Sequence, residues 1–200
     1  MEDKIIKLFL YQNKLKFNEI EKQLKTRSNK IAYHIKNLVD KKILIKKDEE
    51  YSLSEIAETL IPYLSEKKSI LPTILIHLGD KEKAFLYKRE KRPFKDKLSL
   101  PGGRIILGET IKDAVKRIMK EKYNLNCIFK KVNSVSLEKA TKEKKTIHSF
   151  FLIFVSAKTK DKIELINIDE NKSKIISSDY KLLKEDLEKK VEIRNITTNL

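Results

Sequence analysis

The stretch Leu100-Pro101-Gly102-Gly103-Arg104-Ile105-Ile106-Leu107-Gly108-Glu109 decides the fold of the second half of the chain. Its glycines allow the backbone to turn tightly and to lie close to a ligand. Apolar residues then recur at helical spacing from 111 to 119, no Gly or Pro interrupts 109–123, and Asn124 stands where a left-handed C-cap is expected. The sequence therefore predicts a glycine-rich loop that leads into a helix over residues 109–123.

Charged residues recur along this stretch at a fixed spacing. Five residues separate Gly103 from Glu109, seven separate Glu109 from Arg117, and Glu121 follows. This pattern resembles the signature of the Nudix family, whose members hydrolyse or bind nucleoside diphosphates linked to another group. The resemblance extends over about residues 71–194. It implies a Nudix-like α/β/α sandwich with a mixed sheet in residues 71–200.

The chain departs from the family pattern at the positions that hold the metal. The resemblance implies three carboxylates as magnesium ligands, at positions that here read Ile118, Glu121 and Lys122. These positions share one helix face, where carboxylates would hold Mg²⁺ against a diphosphate. Isoleucine cannot bind a metal and the lysine ammonium repels one, so we expect metal-dependent hydrolysis to be weak or absent. No cofactor is expected; if hydrolysis persists, Mg²⁺ or Mn²⁺ would bind Glu121, and Glu121 with Glu109 would be catalytic.

The rest of the motif predicts a site for the phosphates of a ligand. We expect Lys122, with Arg104 or Arg117, to contact the phosphates above the backbone of Gly102 and Gly103. An ordinary ion pair between Lys122 and a neighbouring acid is the alternative. The resemblance gives Arg117 the role of orienting catalytic carboxylates, and a merely structural role for it stays open.

Residues 1–66 predict a separate, smaller domain. Helical and extended patterns follow in the order helix, short strand, helix, turn, helix, two-stranded hairpin, helix. Ser28 is expected to cap the third helix, and Ser54 the fourth, which would bury Ile56 and Leu60. This order resembles the winged helix-turn-helix family, so the fold class as a whole is α+β. Winged helices also serve as protein-binding modules, which stays open as an alternative.

The third helix carries an apolar stripe of Ile31, Ile35, Leu38 and Val39. Its start can enter the ~12 Å wide major groove of DNA, where side chains reach base edges. Lysines of the hairpin and the residue before the helix would contact phosphates. The predicted DNA-binding residues are Arg27, Ser28, Asn29, Lys30, Tyr33, His34, Lys46 and Lys47.

The remaining sequence predicts further elements around the motif. A polar stretch that ends at Pro72 places the domain boundary near residues 65–72. Residues 73–78 and 84–88 read as an antiparallel hairpin, and 146–157 as a central strand. Residues 180–190 read as a helix.

The composition of the chain indicates where the protein is located and what kind of partner it meets. The formal net charge of +16 is typical of proteins that meet polyanions, yet residues 1–63 carry 13 basic and 10 acidic side chains against 32 and 19 in the remainder. No stretch approaches ~18 apolar residues and no signal peptide is seen, so a cytoplasmic protein without membrane contact is expected. Cys127 is alone, which excludes an internal disulfide and makes a zinc site improbable.

Together these features predict a homodimeric transcription regulator that binds double-stranded DNA and senses a nucleotide-like small molecule. Nudix-related regulators with attached winged helices commonly recognise ADP-ribose-like ligands, although in that class the DNA-binding domain follows the Nudix domain. Two alternatives stay open: an active Nudix hydrolase with an accessory winged helix, and a scaffold in which both domains have lost their tasks.

Overall fold

The computed structural model describes residues 1–63 and 69–198. The chain forms two compact units, Met1–Ser69 and Ile70–Leu200. Half of the predicted boundary stretch of residues 65–72, namely residues 65–68, lies outside the described residues. In the part of the chain that is described, no helix is both long and apolar enough to cross a membrane.

The described part of the first unit contains four α-helices, a 3-10 helix and one small sheet. The sheet is antiparallel in the order β1 (Leu15–Lys16), β3 (Glu50–Leu53), β2 (Leu44–Lys47). Its core includes Ile5, Leu15, Ile31, Ile35 and Leu38, which confirms the buried stripe of the third helix. In chain order the elements are α1 (Glu2–Leu8), β1 (Leu15–Lys16), α2 (Phe17–Leu24), α3 (Ser28–Asp40), β2 (Leu44–Lys47), β3 (Glu50–Leu53), α4 (Glu55–Glu58) and the 3-10 helix Ile61–Tyr63.

Two of the predicted details of this unit are wrong. Ser28 does not cap α3 but is its first residue; Arg27 occupies the cap, and the Ser28 hydroxyl donates to the Glu21 carboxylate. Ser54 does cap α4, because its hydroxyl accepts from the Ala57 N–H at 3.2 Å. Ile56 and Leu60 are nevertheless exposed, since α4 is a single turn that directs Ala57 into the interior.

The second unit is built on a four-stranded mixed sheet. Its order is β8 (Gly102–Arg104), β4 (Leu71–His77), β10 (Lys145–Thr159), β9 (Cys127–Lys142), with β10 parallel to β4 and the other pairs antiparallel. Strand β10 lies in the interior of the sheet, between β4 and β9, which confirms the prediction that residues 146–157 form a central strand. The elements are β4 (Leu71–His77), β5 (Lys83–Ala84), β6 (Tyr87–Lys88), β7 (Leu98–Ser99), β8 (Gly102–Arg104), α5 (Ile111–Tyr123), β9 (Cys127–Lys142), β10 (Lys145–Thr159), β11 (Ile166–Asn167) and α6 (Ser177–Glu185).

The sheet separates two apolar layers because successive side chains of a strand point to opposite faces. Ile74 and Ile76 of β4 pack with Ile118 of α5 on one face. On the other face, Leu75 and Phe154 pack with Leu182 and Leu183 of α6. The unit is therefore a three-layer arrangement with the mixed sheet in the middle.

The predicted hairpin of residues 73–78 with 84–88 forms only at its turn, where the Phe85 N–H donates to the Leu78 carbonyl at 2.8 Å and Gly79 makes an antiparallel bridge to Ala84. The pairing predicted along the two strands is wrong. Both edges of β4 are already occupied, by β10 on one side and β8 on the other, so β5 pairs with β11 and β6 with β7. The predicted helix 109–123 begins at Ile111, because Thr110 is its N-cap. Asn124 adopts φ 53 at the C-cap, which confirms the left-handed position.

The single cysteine lies at the start of β9. Cys127 is buried, and because the sequence contains no other cysteine it cannot form an internal disulfide. Burial raises the pKa of its thiol.

Candidate functional site

A cleft of about 690 Å³ opens in the second unit beside the glycine-rich strand β8. The C-terminal end of α5, the start of α6 and the segment between β6 and β7 also contribute to its wall. The residues that line it are Thr73, Leu75, Tyr87, Lys88, Arg89, Glu90, Lys91, Pro93, Phe94, Ser99, Leu100, Gly102, Gly103, Arg104, Lys122, Tyr123, Glu138, Phe150, Leu152, Ile176, Ser178 and Asp179.

Two glycines let β8 lie close to its neighbours. A Cβ atom on Gly102 would overlap the backbone carbonyl oxygen of Ile74 on the paired strand β4. A Cβ atom on Gly103 would lie 3.1 Å from the side chain of Ile118 and 3.2 Å from the ammonium of Lys122. The absence of side chains at both positions therefore allows the loop to pack directly onto β4 and α5.

Arg117 ties the glycine-rich loop to α5. Its Nε and Nη2 atoms both donate to the Glu109 carboxylate, the latter at 2.9 Å, and Nη2 also donates to the Arg104 carbonyl at 2.9 Å. Nη1 lies 3.4 Å from Glu121 Oε2. The Arg117 guanidinium lowers the pKa of Glu109, and an N–H bond from Ile106 acts in the same direction. Arg117, Glu109 and Glu121 do not line the cleft, and their side chains are committed to one another.

Lys122 lies at the opening of the cleft against β8. Although the side chain is exposed over much of its length, its Nζ donates to the Gly102 carbonyl at 2.6 Å. Burial of the ammonium lowers the pKa of Lys122, and Arg117, Arg89 and Lys91 lower it further. Positive charge is therefore concentrated at this end of the cleft.

A buried carboxyl lies in another part of the cleft wall. Asp179 Oδ2 accepts from the Ser99 hydroxyl and from the Leu100 N–H, each at 2.8 Å. Burial raises the pKa of Asp179 to about 6, and the Glu138 carboxylate acts in the same direction against the two hydrogen bonds. Glu138 itself accepts from the Ser178 hydroxyl.

Aromatic side chains and Arg89 form a further part of the wall. Tyr123 packs edge-on against Tyr87 and Phe85, with ring centroids 5.4 and 5.5 Å away. Arg89 is held by two contacts, from Nε to the Pro93 carbonyl at 3.0 Å and from Nη1 to the Tyr87 hydroxyl at 3.3 Å. Its guanidinium is thus positioned by the protein before any ligand binds.

At the three positions where the resemblance implies metal ligands, the side chains present are not suited to bind a divalent cation. Ile118 is fully buried in the core, and the exposed Glu121 lies beside the Arg117 guanidinium. The Lys122 ammonium is at the third position, where a lysine repels a cation. The residues that the structure describes contain no group of three or more His, Cys, Asp or Glu side chains placed to hold a metal ion.

Most of the predicted DNA-binding residues lie on the surface of the first unit. Arg27, Ser28, Asn29, Lys30 and Tyr33 are exposed at and near the start of α3, as are Lys46 and Lys47 on β2. The Lys46 ammonium lies 5.8 Å from the centre of the Tyr51 ring. His34 differs from the others, because it is half-buried with Nδ1 3.8 Å from Glu2 Oε1 and has its ring edge-on to Tyr33.

Of the residues predicted to bind the ligand, Gly102, Gly103, Arg104 and Lys122 lie together in the cleft, and Arg117 lies behind them. Sequence reasoning missed Arg89, Lys91 and Asp179. A signal for Asp179 was present in the spacing, since it precedes Leu182 and Leu183 by three and four residues and so shares their buried helix face. A carboxyl on an apolar face indicates a specific role.

Several solved structures are similar to part of this chain at low sequence identity. Similar solved structures include a NUDIX hydrolase from Nitrosomonas europaea, with 17% identity, a TM-score of 0.47 and coverage of 60% of this chain and 70% of that chain. A MutT protein from Methanosarcina mazei Go1 has 14% identity, a TM-score of 0.49 and coverage of 60% and 94%. A UDP-X diphosphatase has 15% identity, a TM-score of 0.45 and coverage of 78% of each chain.

No curated protein sequence matches the chain. The NUDIX domain matches residues 71–186, which is more than half of the chain and contains the four-stranded sheet, α5 and α6. On that match the chain belongs to the Nudix family.

Proposed function

We propose that this protein is a DNA-binding transcriptional regulator whose Nudix domain senses a nucleotide-derived ligand and hydrolyses it weakly or not at all. The observation that carries the proposal is the combination of Ile118 and Lys122 at family metal positions with an intact cleft beside them. A sensor gains from a pocket that holds its ligand unchanged. The ligand is a nucleoside diphosphate linked to another group.

The DNA-binding part of the proposal is supported by the surface of α3. Its first turns present Ser28, Asn29, Lys30 and Tyr33 to solvent beside the basic strand β2. The order of helices and strands in residues 1–63 resembles that of a winged helix-turn-helix domain, and this supports the proposal because in such domains a helix reads the major groove. His34 is the weakest member of the predicted set because it faces Glu2. Domains of this type act as dimers on two half-sites, so we propose a homodimer.

The DNA-binding part is tested by selection from a pool of random duplexes, followed by anisotropy measurements at several salt concentrations. We expect Asn29→Ala and Tyr33→Ala to change the selected sequence, because their side chains would reach base edges. Lys46→Ala should weaken binding to all sequences and reduce the salt slope by about 1. Lys4→Ala, at an exposed lysine of α1, is the matched control. Failure of the pool to enrich any sequence would count against the proposal.

The alternative is a metal-dependent hydrolase with an accessory winged helix. It is favoured by the family itself and by the retention of Glu109, Arg117 and Glu121. Incubation with a panel of nucleoside diphosphate derivatives and Mg²⁺ or Mn²⁺ separates the two functions. Ligand-dependent thermal stabilisation without turnover is expected for the sensor. Robust turnover that is lost in Glu121→Gln would establish the hydrolase.

A further inference from the structure

Basic side chains outnumber acidic ones in the lining of the cleft. Five basic residues line it against the acids Glu90, Glu138 and Asp179; Lys88 pairs with Asp96, and the other four are Arg89, Lys91, Arg104 and Lys122. Among the described residues, no carboxylate forms an ion pair with any of the four. The Lys122 ammonium is also partly withdrawn from water and lies near two of the others. Like charges held together in this way are destabilising, and a bound anion relieves the repulsion.

Lys122 and Arg89 keep hydrogen-bond donors free for such an anion. An ammonium has three donors, and one of those on Lys122 is used by the Gly102 carbonyl. A guanidinium has five, of which Arg89 uses one on Nε and one on Nη1. These contacts also fix both side chains, so little conformational entropy is lost when a ligand binds.

We propose that Lys122 and Arg89, with Lys91 beside them, bind the diphosphate of the ligand directly and take the place of a divalent cation. This inference rests on the ligand-sensing role proposed above and adds that binding needs no metal. Ile118 contributes in two ways. Its side chain cannot bind a metal, and it packs against Gly103, where it fills the space beneath the glycine-rich strand. In this proposal, basic side chains of the protein supply the positive charge that a bound divalent cation would otherwise supply.

The test measures affinity by calorimetry in EDTA and in Mg²⁺ with three probes: ADP-ribose, inorganic pyrophosphate and adenosine. We expect ADP-ribose and pyrophosphate to bind the wild-type protein in EDTA, and adenosine, which has no phosphate, to bind at least tenfold more weakly than ADP-ribose. Lys122→Gln and Arg89→Gln should each lower the affinity for the two anions about tenfold or more, since each removes a charge-assisted hydrogen bond. Lys122→Glu should abolish binding in EDTA, and Lys122→Arg should retain most of it.

Lys120→Gln is the matched control. Lys120 is an exposed lysine on the same helix that contacts Asn124 Oδ1 at 3.0 Å and does not line the cleft. Binding that requires Mg²⁺ would overturn the inference and leave a nucleotide sensor standing. Pyrophosphate binding that depends on Lys122, without binding of any nucleotide, would support the anion site and refute the sensor. Unchanged affinity in Lys122→Gln together with a lower melting temperature would assign the side chain a structural role and overturn the inference.

Discussion

The protonation of Asp179 should make the stability of the Nudix unit depend on pH in an unusual direction. The carboxyl is buried and its pKa is raised to about 6 from an ordinary 3.8. Between these two pH values the folded state binds a proton that the unfolded state has lost, so the free energy of unfolding falls as pH rises. The stabilisation is complete below the unfolded-state pKa and is lost as pH rises through the folded-state value.

The size of the effect follows from the raised pKa. One pKa unit corresponds to about 1.4 kcal/mol, so the full effect is about 3 kcal/mol, of which roughly 2 kcal/mol is lost between pH 4 and pH 6.5. At about 2–4 °C per kcal/mol this loss equals ~4–8 °C in melting temperature. Acids with lowered pKa values, such as Glu109, act in the opposite direction at lower pH. A variant is therefore needed to isolate Asp179.

Asp179→Asn removes the titration and keeps the acceptor for Ser99 and Leu100. Scanning calorimetry of wild type and variant from pH 4 to pH 7.5 measures the difference in melting temperature of the Nudix unit. We expect the wild type to lose stability relative to the variant as pH rises. Glu170→Gln, at an exposed acid of the same unit, controls for the loss of one negative charge. Parallel pH profiles for the wild type and Asp179→Asn would refute the reasoning.

Three further changes test the architecture of the loop and α5 by thermal unfolding. Arg117→Gln should cost about 1 kcal/mol, because the ion pair with Glu109 is only partly shielded from solvent; an equal loss in the exposed Lys116→Gln would contradict this. Gly102→Ala should cost about 1–3 kcal/mol and more than Gly103→Ala, since its Cβ meets backbone whereas that of Gly103 meets side chains that can move; the reverse order would be inconsistent with the packing. Thr110→Ala should cost about 1 kcal/mol through loss of the cap on α5, and an unchanged melting temperature would show the cap to be unimportant.

The sequence predicted best what depends on neighbouring residues. The helix α5, its left-handed C-cap at Asn124 and the buried stripe of α3 follow from local spacing and capping chemistry, and the structure contains all three. The predicted start of α5 lies two residues before the observed one, because the Thr110 hydroxyl caps the helix.

Strand pairing and the cleft were less accessible, because they depend on contacts between distant parts of the chain. One of the two partners of β4 is β10, about eighty residues later in the chain, and nothing in residues 73–88 excludes a local hairpin. Likewise, Arg89, Lys122 and Asp179 meet only after β6, α5 and α6 have assembled around the sheet. The spacing along α5 indicated that Lys122 belongs to the site. No pattern of neighbouring residues predicts that Arg89 lines the same cleft.

The seclusion of Cys127 makes the protein convenient for site-specific chemistry. In labelling reactions the thiolate attacks the electrophilic reagent, and a buried sulfur with a raised pKa supplies little thiolate at neutral pH. A cysteine introduced at an exposed position, such as Lys30 of α3, would therefore accept a fluorophore or spin label, whereas the Cys127 thiol would remain unlabelled. The natural sequence thus serves directly as the background for distance measurements, with no need to remove its own thiol.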